Sequence, residues 1–390
     1  MSARAVFIYV QHLLGIGHLK RALVIARALS DAGFRVTLAS GGHEVPWLDR
    51  SGLHWVQLPP ASIADLSFGK LLDAQGQAVD DQWKSQRAAM LIDAWRDSAA
   101  DALLIELFPF GRRQMRFELL PLLEAARAAP RPPLIVSSIR DVLGAGQGDP
   151  QRQLKMLALF DRYFDHLLVH GDASLIPLQA TFGPTPQLGA RLFYTGYVVE
   201  ALSTAARSGD LGRDEVLVSA GGGAVGMPLL TTAILARPLS RLSGRRWRIL
   251  AGSNVTESQF QDLQRLATDT GAGRVVVERA RPDFVAMLAN CAVSVSQGGY
   301  NTVLEALSQG ARMVVAPFAG GGEVEQSLRA RLLAEKGWIH CVAEDQLSAQ
   351  TLAAAVDRAC QQAPRAGRIQ LDGAKKTVEL LSAWLSQRGG

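Results

Sequence analysis

The sequence predicts an α/β protein built from two doubly wound halves, and three observations carry that prediction. Apolar runs of strand length alternate with stretches of helical period, the alternation stops at a polar segment and then restarts, and three glycine-rich turns each connect an apolar strand to a helix.

In the first half the strand-length runs are Ala5–Val10, Arg35–Ser40, Ala102–Leu107, Leu134–Ser138, His166–His170 and Arg191–Gly196, with helix-period stretches such as Lys20–Leu29 and Phe117–Ala128 between them. Near-continuous apolar strands separated by helices describe a parallel sheet covered on both faces. The polar segment Glu200–Arg213 then reads as a linker. Beyond it the strands resume at Glu215–Ala220, Trp247–Ala251, Arg274–Glu278, Cys291–Ser296, Arg312–Pro317 and Ile339–Ala343. The expected organisation is an N-terminal Rossmann-like domain over residues 1–199, a linker over 200–213 and a second Rossmann-like domain over 214–372, facing each other across a cleft. A last helix, starting at Gly373 within residues 373–390, has an apolar stripe through Val378, Leu381 and Leu385 that must pack on something.

Composition narrows the function classes. The chain has 390 residues, 48% of them hydrophobic, with a mean hydropathy of +0.09. That supports large cores, but no apolar run approaches the roughly 20 residues that cross a bilayer. The first ten residues read as a strand entering a turn rather than an export signal, and three cysteines at unrelated spacings suggest neither disulfides nor zinc. A cytoplasmic protein is expected. The net charge of +5 suits anionic substrates or contact at the inner face of an anionic membrane, whereas nucleic-acid binding would require a basic strip that the chain lacks.

The most informative turn is VSVSQGGYNTVLEALS, Val293–Ser308. Gly298 and Gly299 bring bare backbone N–H groups and a positive helix end beneath a phosphate, with Asn301 and Thr302 on the opening turn. Glu305, one turn further, can reach a ribose diol, so the pattern suggests a nucleotide diphosphate. A tight turn and a helix-capping Glu305 account for the same residues more simply. Two further glycine turns weigh against that simpler account: SAGGGAVG, Ser219–Gly226, and LLGIGHLKR, Leu13–Arg21. The glycines Gly221, Gly223 and Gly226 also satisfy G-x-G-x-x-G, but no acid ends the next strand to hold a dinucleotide's ribose, which weakens a dehydrogenase reading.

In the first turn, Gly15 and Gly17 allow close approach and His18 is a candidate general base, the alternative being a histidine that bonds the turn or caps the helix. Glu325 and Gln326, after the triple glycine Gly320–Gly322, offer acceptor and donor groups for sugar hydroxyls or form a polar helix start. Arg281 lies on a loop whose backbone could read a base edge. Glu106, opening ELFPFGRR, and Arg140 with Asp141, after LIVSS, occupy the ligand-facing edge of the first sheet and could bind a second substrate; a helix-start ion pair is the alternative for the latter two. No metal-ligand spacing, D-x-D sequence, G-x-S-x-G motif or P-loop occurs, so neither a metal nor a cofactor is expected.

With these motifs the chain resembles the GT-B glycosyltransferases, in particular the family 28-like branch that contains the N-acetylglucosaminyltransferase of peptidoglycan lipid-intermediate synthesis. Within that branch it is similar to an uncharacterised set of predicted bacterial glycosyltransferases. The likeness covers both halves and is most specific over Arg281–Gln326. It implies the GT-B fold, with the last helix crossing back onto the N-terminal domain. It also implies that Gly222 and Gly223 contact the donor phosphate, Gly298–Thr302 line the diphosphate, Glu305 holds the ribose, Glu325 and Gln326 bind the donor sugar, and His18 lies at the reacting centre. The expected activity is an inverting, metal-independent transfer from a nucleotide-diphosphate sugar, UDP-linked, to an acceptor that is lipid-linked or a small metabolite. FPFGRR has no counterpart in the peptidoglycan enzyme. Gly17, His18 and Arg21 also resemble the UDP-sugar hydrolase of pseudaminic acid synthesis, so a hydrolase or epimerase of the same fold is the alternative.

Overall fold

The structure is a computed structural model and describes residues 3–13, 16–63, 70–144, 149–199, 209–220, 226–252, 254–320, 325–362 and 369–388. It falls into two compact units, residues 1–199 with 370–390 and residues 200–369.

The first unit contains strands β1 Ala5–Val10, β2 Arg35–Ser40, β3 His54–Gln57, β4 Ser62–Ile63, β5 Leu71–Leu72, β6 Ala102–Glu106, β7 Leu134–Arg140, β8 His166–His170 and β9 Leu192–Tyr194. Its helices are α1 Gly17–Asp31, α2 Asp81–Ser98, α3 Arg116–Arg127, α4 Pro150–Tyr163 and α5 Thr185–Leu188. Seven strands form one parallel sheet in the order β3-β2-β1-β6-β7-β8-β9, and β4 and β5 pair as a small antiparallel ribbon. The chain winds outward from β1 in one direction and from β6 in the other. Their junction is the topological switch point, beyond whose strand ends a doubly wound sheet opens a crevice. Side chains alternate between two apolar layers, so Phe7, Tyr9, Leu103 and Ile105 face one cluster while Val6, Ile8, Leu104 and Val136 face the other.

The second unit contains β10 Val216–Ser219, β11 Trp247–Ala251, β12 Val275–Arg279, β13 Val293–Ser296, β14 Met313–Val315 and β15 His340–Cys341, with helices α6 Met227–Ala236, α7 Glu257–Thr270, α8 Phe284–Asn290, α9 Tyr300–Ser308, α10 Glu325–Glu335 and α11 Ala349–Gln361. The sheet runs β12-β11-β10-β13-β14-β15, all parallel, so its switch point lies between β10 and β13. Its core brings together Val216, Val218, Trp247, Ile249, Val293 and Val295 with Leu229, Leu230, Leu352 and Val356.

The last helix, α12 Gly373–Arg388, belongs to the first unit. It packs against α1 and buries Leu381, Trp384 and Leu385, with Val378 beside them; Trp384 stacks on His166 at 3.9 Å between ring centroids. Among the described residues no helix is long and apolar enough to cross a membrane.

Candidate functional site

Each sheet brings polar chemistry to its switch point. In the first unit β1 and β6 are neighbours, with Tyr9 opposite Ile105; β6 ends on Glu106, and the chain beyond β1 enters α1 at Gly17 and His18. His18 Nδ1 lies 2.8 Å from Glu106 Oε1. The histidine therefore turns inward onto the carboxylate of the neighbouring strand instead of capping α1, whose N-cap, Ile16, has no side-chain hydrogen bond.

Glu106 is 2% exposed and meets three side chains at once, His18, Arg21 and Ser138. Its Oε1 also takes a hydrogen bond from Arg21 Nη2, and its Oε2 lies 3.0 Å from Ser138 Oγ. A carboxylate can only accept, so the proton of the His18–Glu106 bond sits on Nδ1 and Nε2 carries the lone pair. His18 keeps 14% of its side chain exposed, and among the described residues Nε2 has no hydrogen-bond partner. Burial, then the positive charges of Arg140, Arg112 and Arg21, push His18 well below the ordinary histidine range. A neutral imidazole oriented by an acid, with its far nitrogen open, is the arrangement of a general base.

Arg112 is held at φ 56° and donates from Nε to the Gln11 carbonyl at 2.8 Å. A left-handed backbone at a non-glycine residue costs about 1–2 kcal/mol. Here it turns the guanidinium back over the end of β1. Burial, with Arg140 and Arg21 close by, brings Arg112 down to about 10.

The structure thus brings Glu106 onto His18 and Arg21, which share one turn in the sequence, and it fixes the places of Glu106 and Arg140. Glu106 is the last residue of β6 with its carboxylate on His18, and Arg140 is the last residue of β7. Asp141 is fully buried and accepts from the Tyr197 hydroxyl at 2.9 Å; the next described helix begins at Pro150, so neither Arg140 nor Asp141 sits at its start. Gly17 opens α1, while Gly15 lies outside the described residues. Ser138 and His170 escaped the sequence reading, although each is a polar residue at the C-terminal end of an otherwise apolar strand, where ligand-facing groups collect.

In the second unit the neighbours at the switch point are β10 and β13, with Ser219 opposite Ser296, so the two glycine turns leave adjacent strand ends. Gly222 and Gly223 lie outside the described residues; the strand before them and α6 after them are in place. Gly298 has φ +81°, and a Cβ there would stand 2.6 Å from Val315 Cγ1, so only glycine fits. Gly299 is the N-cap of α9, with no side-chain cap and no acid in the first turn, whereas α7 and α11 are closed by capping boxes. Asn301 and Thr302 are half-buried on that turn and Glu305 is half-buried on the next. Glu325 pairs with Arg329 at 2.9 Å, whose guanidinium lies 5.0 Å from the centroid of the Tyr300 ring and so ties α10 to α9. Gln326 Oε1 accepts from the Phe318 amide at 3.4 Å. Arg281 spends its side chain on Asp283, with two bonds of 2.8 and 2.7 Å, and on Glu278 at 3.2 Å, which leaves only its backbone for the role first considered. Among the described residues no group of three or more His, Cys, Asp or Glu is arranged to hold a metal ion.

Comparison with known proteins places these units in a family of architectures. Residues 222–380 match the glycosyltransferase family 28 C-terminal domain. The chain is similar to an uncharacterised glycosyltransferase of Methanosarcina acetivorans, at 21% identity over 339 residues, 83% of this chain and 82% of that protein. Among solved structures it is similar to MurG of Acinetobacter baumannii, with a TM-score of 0.60, 15% identity, and coverage of 97% of this chain and 99% of that one. It is also similar to Phytolacca americana UGT2 complexed with UDP-2fluoro-glucose and pterostilbene, with a TM-score of 0.60, 15% identity, and coverage of 98% and 100%.

Proposed function

We propose that this chain, a glycosyltransferase of GT-B fold that carries the family 28 C-terminal domain, moves a sugar from a nucleoside-diphosphate donor to a hydroxyl of its acceptor by direct, inverting displacement without a metal ion. The observation that carries the reading is the His18–Glu106 pair: a neutral histidine with Nδ1 on a buried carboxylate and Nε2 open.

In this reading the acceptor oxygen attacks the anomeric carbon as its proton passes to His18 Nε2. The bond between the anomeric carbon and the diphosphate oxygen breaks, and its electron pair leaves with the nucleoside diphosphate. Glu106 stabilises the imidazolium that forms, as an acid partner does for a histidine base. The charge gathering on the diphosphate is met by the N-termini of α9 and α6, which offer positive helix ends and backbone donors. Glu305 is assigned to the ribose, and Glu325 and Gln326 to the hydroxyls of the donor sugar. The uridine donor is taken from UGT2, whose complex holds a UDP-sugar.

The test is to incubate the protein with UDP-sugars, with and without candidate lipid-linked and small hydroxyl acceptors, and follow UDP, free sugar and product by NMR. Acceptor-dependent release of UDP supports transfer. Rapid release into free sugar without an acceptor would replace it with hydrolysis. Glu305→Ala is expected to weaken UDP binding by about 1.5–3 kcal/mol, the range for a hydrogen bond to a charged group. Unchanged affinity by calorimetry, with the fold intact, would remove Glu305 from the ribose.

A further inference from the structure

Behind Glu106 a chain of buried polar groups runs away from the open site and is used by nothing described so far. Ser138 is opposite Glu106 in the paired strands β6 and β7, and its Oγ lies 3.0 Å from Glu106 Oε2 and 2.8 Å from His170 Nε2. On its other side His170 Nδ1 is 2.8 Å from Thr195 Oγ1. Ser138, His170 and Thr195 are at most 2% exposed.

Counting protons gives the chain a direction. Ionised Glu106 only accepts, so Ser138 commits its single hydrogen to Oε2. The Ser138 oxygen must then accept from His170, which places a hydrogen on His170 Nε2. Burial first, and the charge of Arg21 second, push His170 well below its ordinary range, so the ring is neutral and its Nδ1 accepts from Thr195. Thr195 Oγ1 has a second acceptor within reach, the Gly196 carbonyl at 2.8 Å. If Thr195 turns to that carbonyl, His170 takes the opposite tautomer, Ser138 gives its hydrogen to His170, and Glu106 Oε2 loses its donor. The charge on Glu106 therefore selects one orientation of the whole chain.

We propose that Ser138 and His170 are positioning residues that lock Glu106, and through it the Nδ1–H tautomer of His18, in the form that leaves Nε2 free to take a proton. This rests on the reading of His18 and Glu106 as the base and its orienting acid. Neither residue needs to touch substrate. Ser138 holds one carboxylate oxygen so that the other faces His18 and does not swing wholly to Arg21, and His170 keeps the serine hydrogen aimed at Glu106.

The experiment reads tautomers directly and needs no substrate. The full chain, labelled with ¹⁵N-histidine, is examined by long-range ¹H–¹⁵N correlation at neutral pH, with His18→Gln used to assign the His18 ring. The wild type is expected to show one His18 ring with a protonated Nδ1 and an unprotonated Nε2. In Ser138→Ala, and independently in His170→Phe, that signature should give way to averaged nitrogen shifts. Ser138→Thr, which keeps the hydroxyl, should restore it. If folded Ser138→Ala retains the wild-type shifts, the chain does not position His18 and the proposal is overturned while the pair itself stands. If wild-type His18 carries its proton on Nε2, the pair is misread and the proposal falls with it.

Discussion

Replacing His18 with Ala is expected to lower turnover by about 10²–10⁴, the usual share of a general base, and to leave nucleotide affinity within about threefold. The separation follows from placement: His18 sits at the switch point of the first sheet, whereas the turns assigned to the nucleotide leave strands of the second. The pH profile adds an independent check. Burial and three nearby arginines push His18 below its ordinary range, so the deprotonated, active form persists as pH falls past about 6.5, the value for an unperturbed histidine. Turnover should stay level from neutrality through that value and decline only at lower pH. A limb centred at or above it, or a His18→Ala enzyme with normal turnover, would make His18 structural. Collapse of nucleotide affinity with turnover preserved would make it a binding group.

The largest effect on stability is expected at Glu118. Its carboxylate and the Arg87 guanidinium are fully buried beside β1, bonded Nε to Oε2 at 2.6 Å and Nη2 to Oε1 at 3.1 Å, and Tyr9 donates its hydroxyl to the same Oε1. Arg87 also reaches the Gly41 carbonyl at 3.0 Å, the Pro59 carbonyl, and Gln11 Oε1 at 2.6 Å. Gln11 in turn donates to the His12 and Ala61 carbonyls, so the pair braces the stretch leading from β1 to His18. Removing one partner strands the other charge in an apolar interior, which costs about 3–5 kcal/mol. Glu118→Ala should therefore lower the urea midpoint of the first unit and leave that of the second unchanged. A loss below about 1 kcal/mol would mean that carbonyls alone satisfy Arg87.

Much of this architecture could be read from residue order because both sheets are buried on two faces. Strands β1, β2, β8 and β11 begin and end where their apolar runs do. β3 escaped because it lies at the sheet edge with His54 exposed and Trp55, Val56 and Gln57 half-buried, so it makes no apolar run. β4 and β5 have two residues each and leave no periodic trace. At the candidate site, His18 and Glu106 were visible singly as polar residues at strand and helix ends, but their partnership depends on β6 lying beside β1, which sequence separation conceals. The Arg281 side chain shows the reverse limit. The sequence offers the backbone of its loop to a base edge but gives no sign that Glu278 and Asp283 claim the side chain.

The return of α12 to the first unit has a consequence for how the chain acquires its structure during synthesis. Val198 and Asp372 pair as an isolated bridge, the Tyr197 amide donates to the Gln370 carbonyl at 2.7 Å, and the Gly373 amide donates to the Tyr197 carbonyl at 3.1 Å. The second unit is thus an insertion into the first, and the two stretches of the first unit that flank it are stitched to each other. On the ribosome, where domains usually fold in order of emergence, this order is inverted for completion. The first unit must wait with the surface beneath Leu381, Trp384 and Leu385 uncovered, including the His166 and Phe193 rings that flank Trp384, until the entire second unit has been made. A nascent chain stalled before α12 would expose that apolar strip, the kind of surface that chaperones hold and that promotes aggregation when they do not.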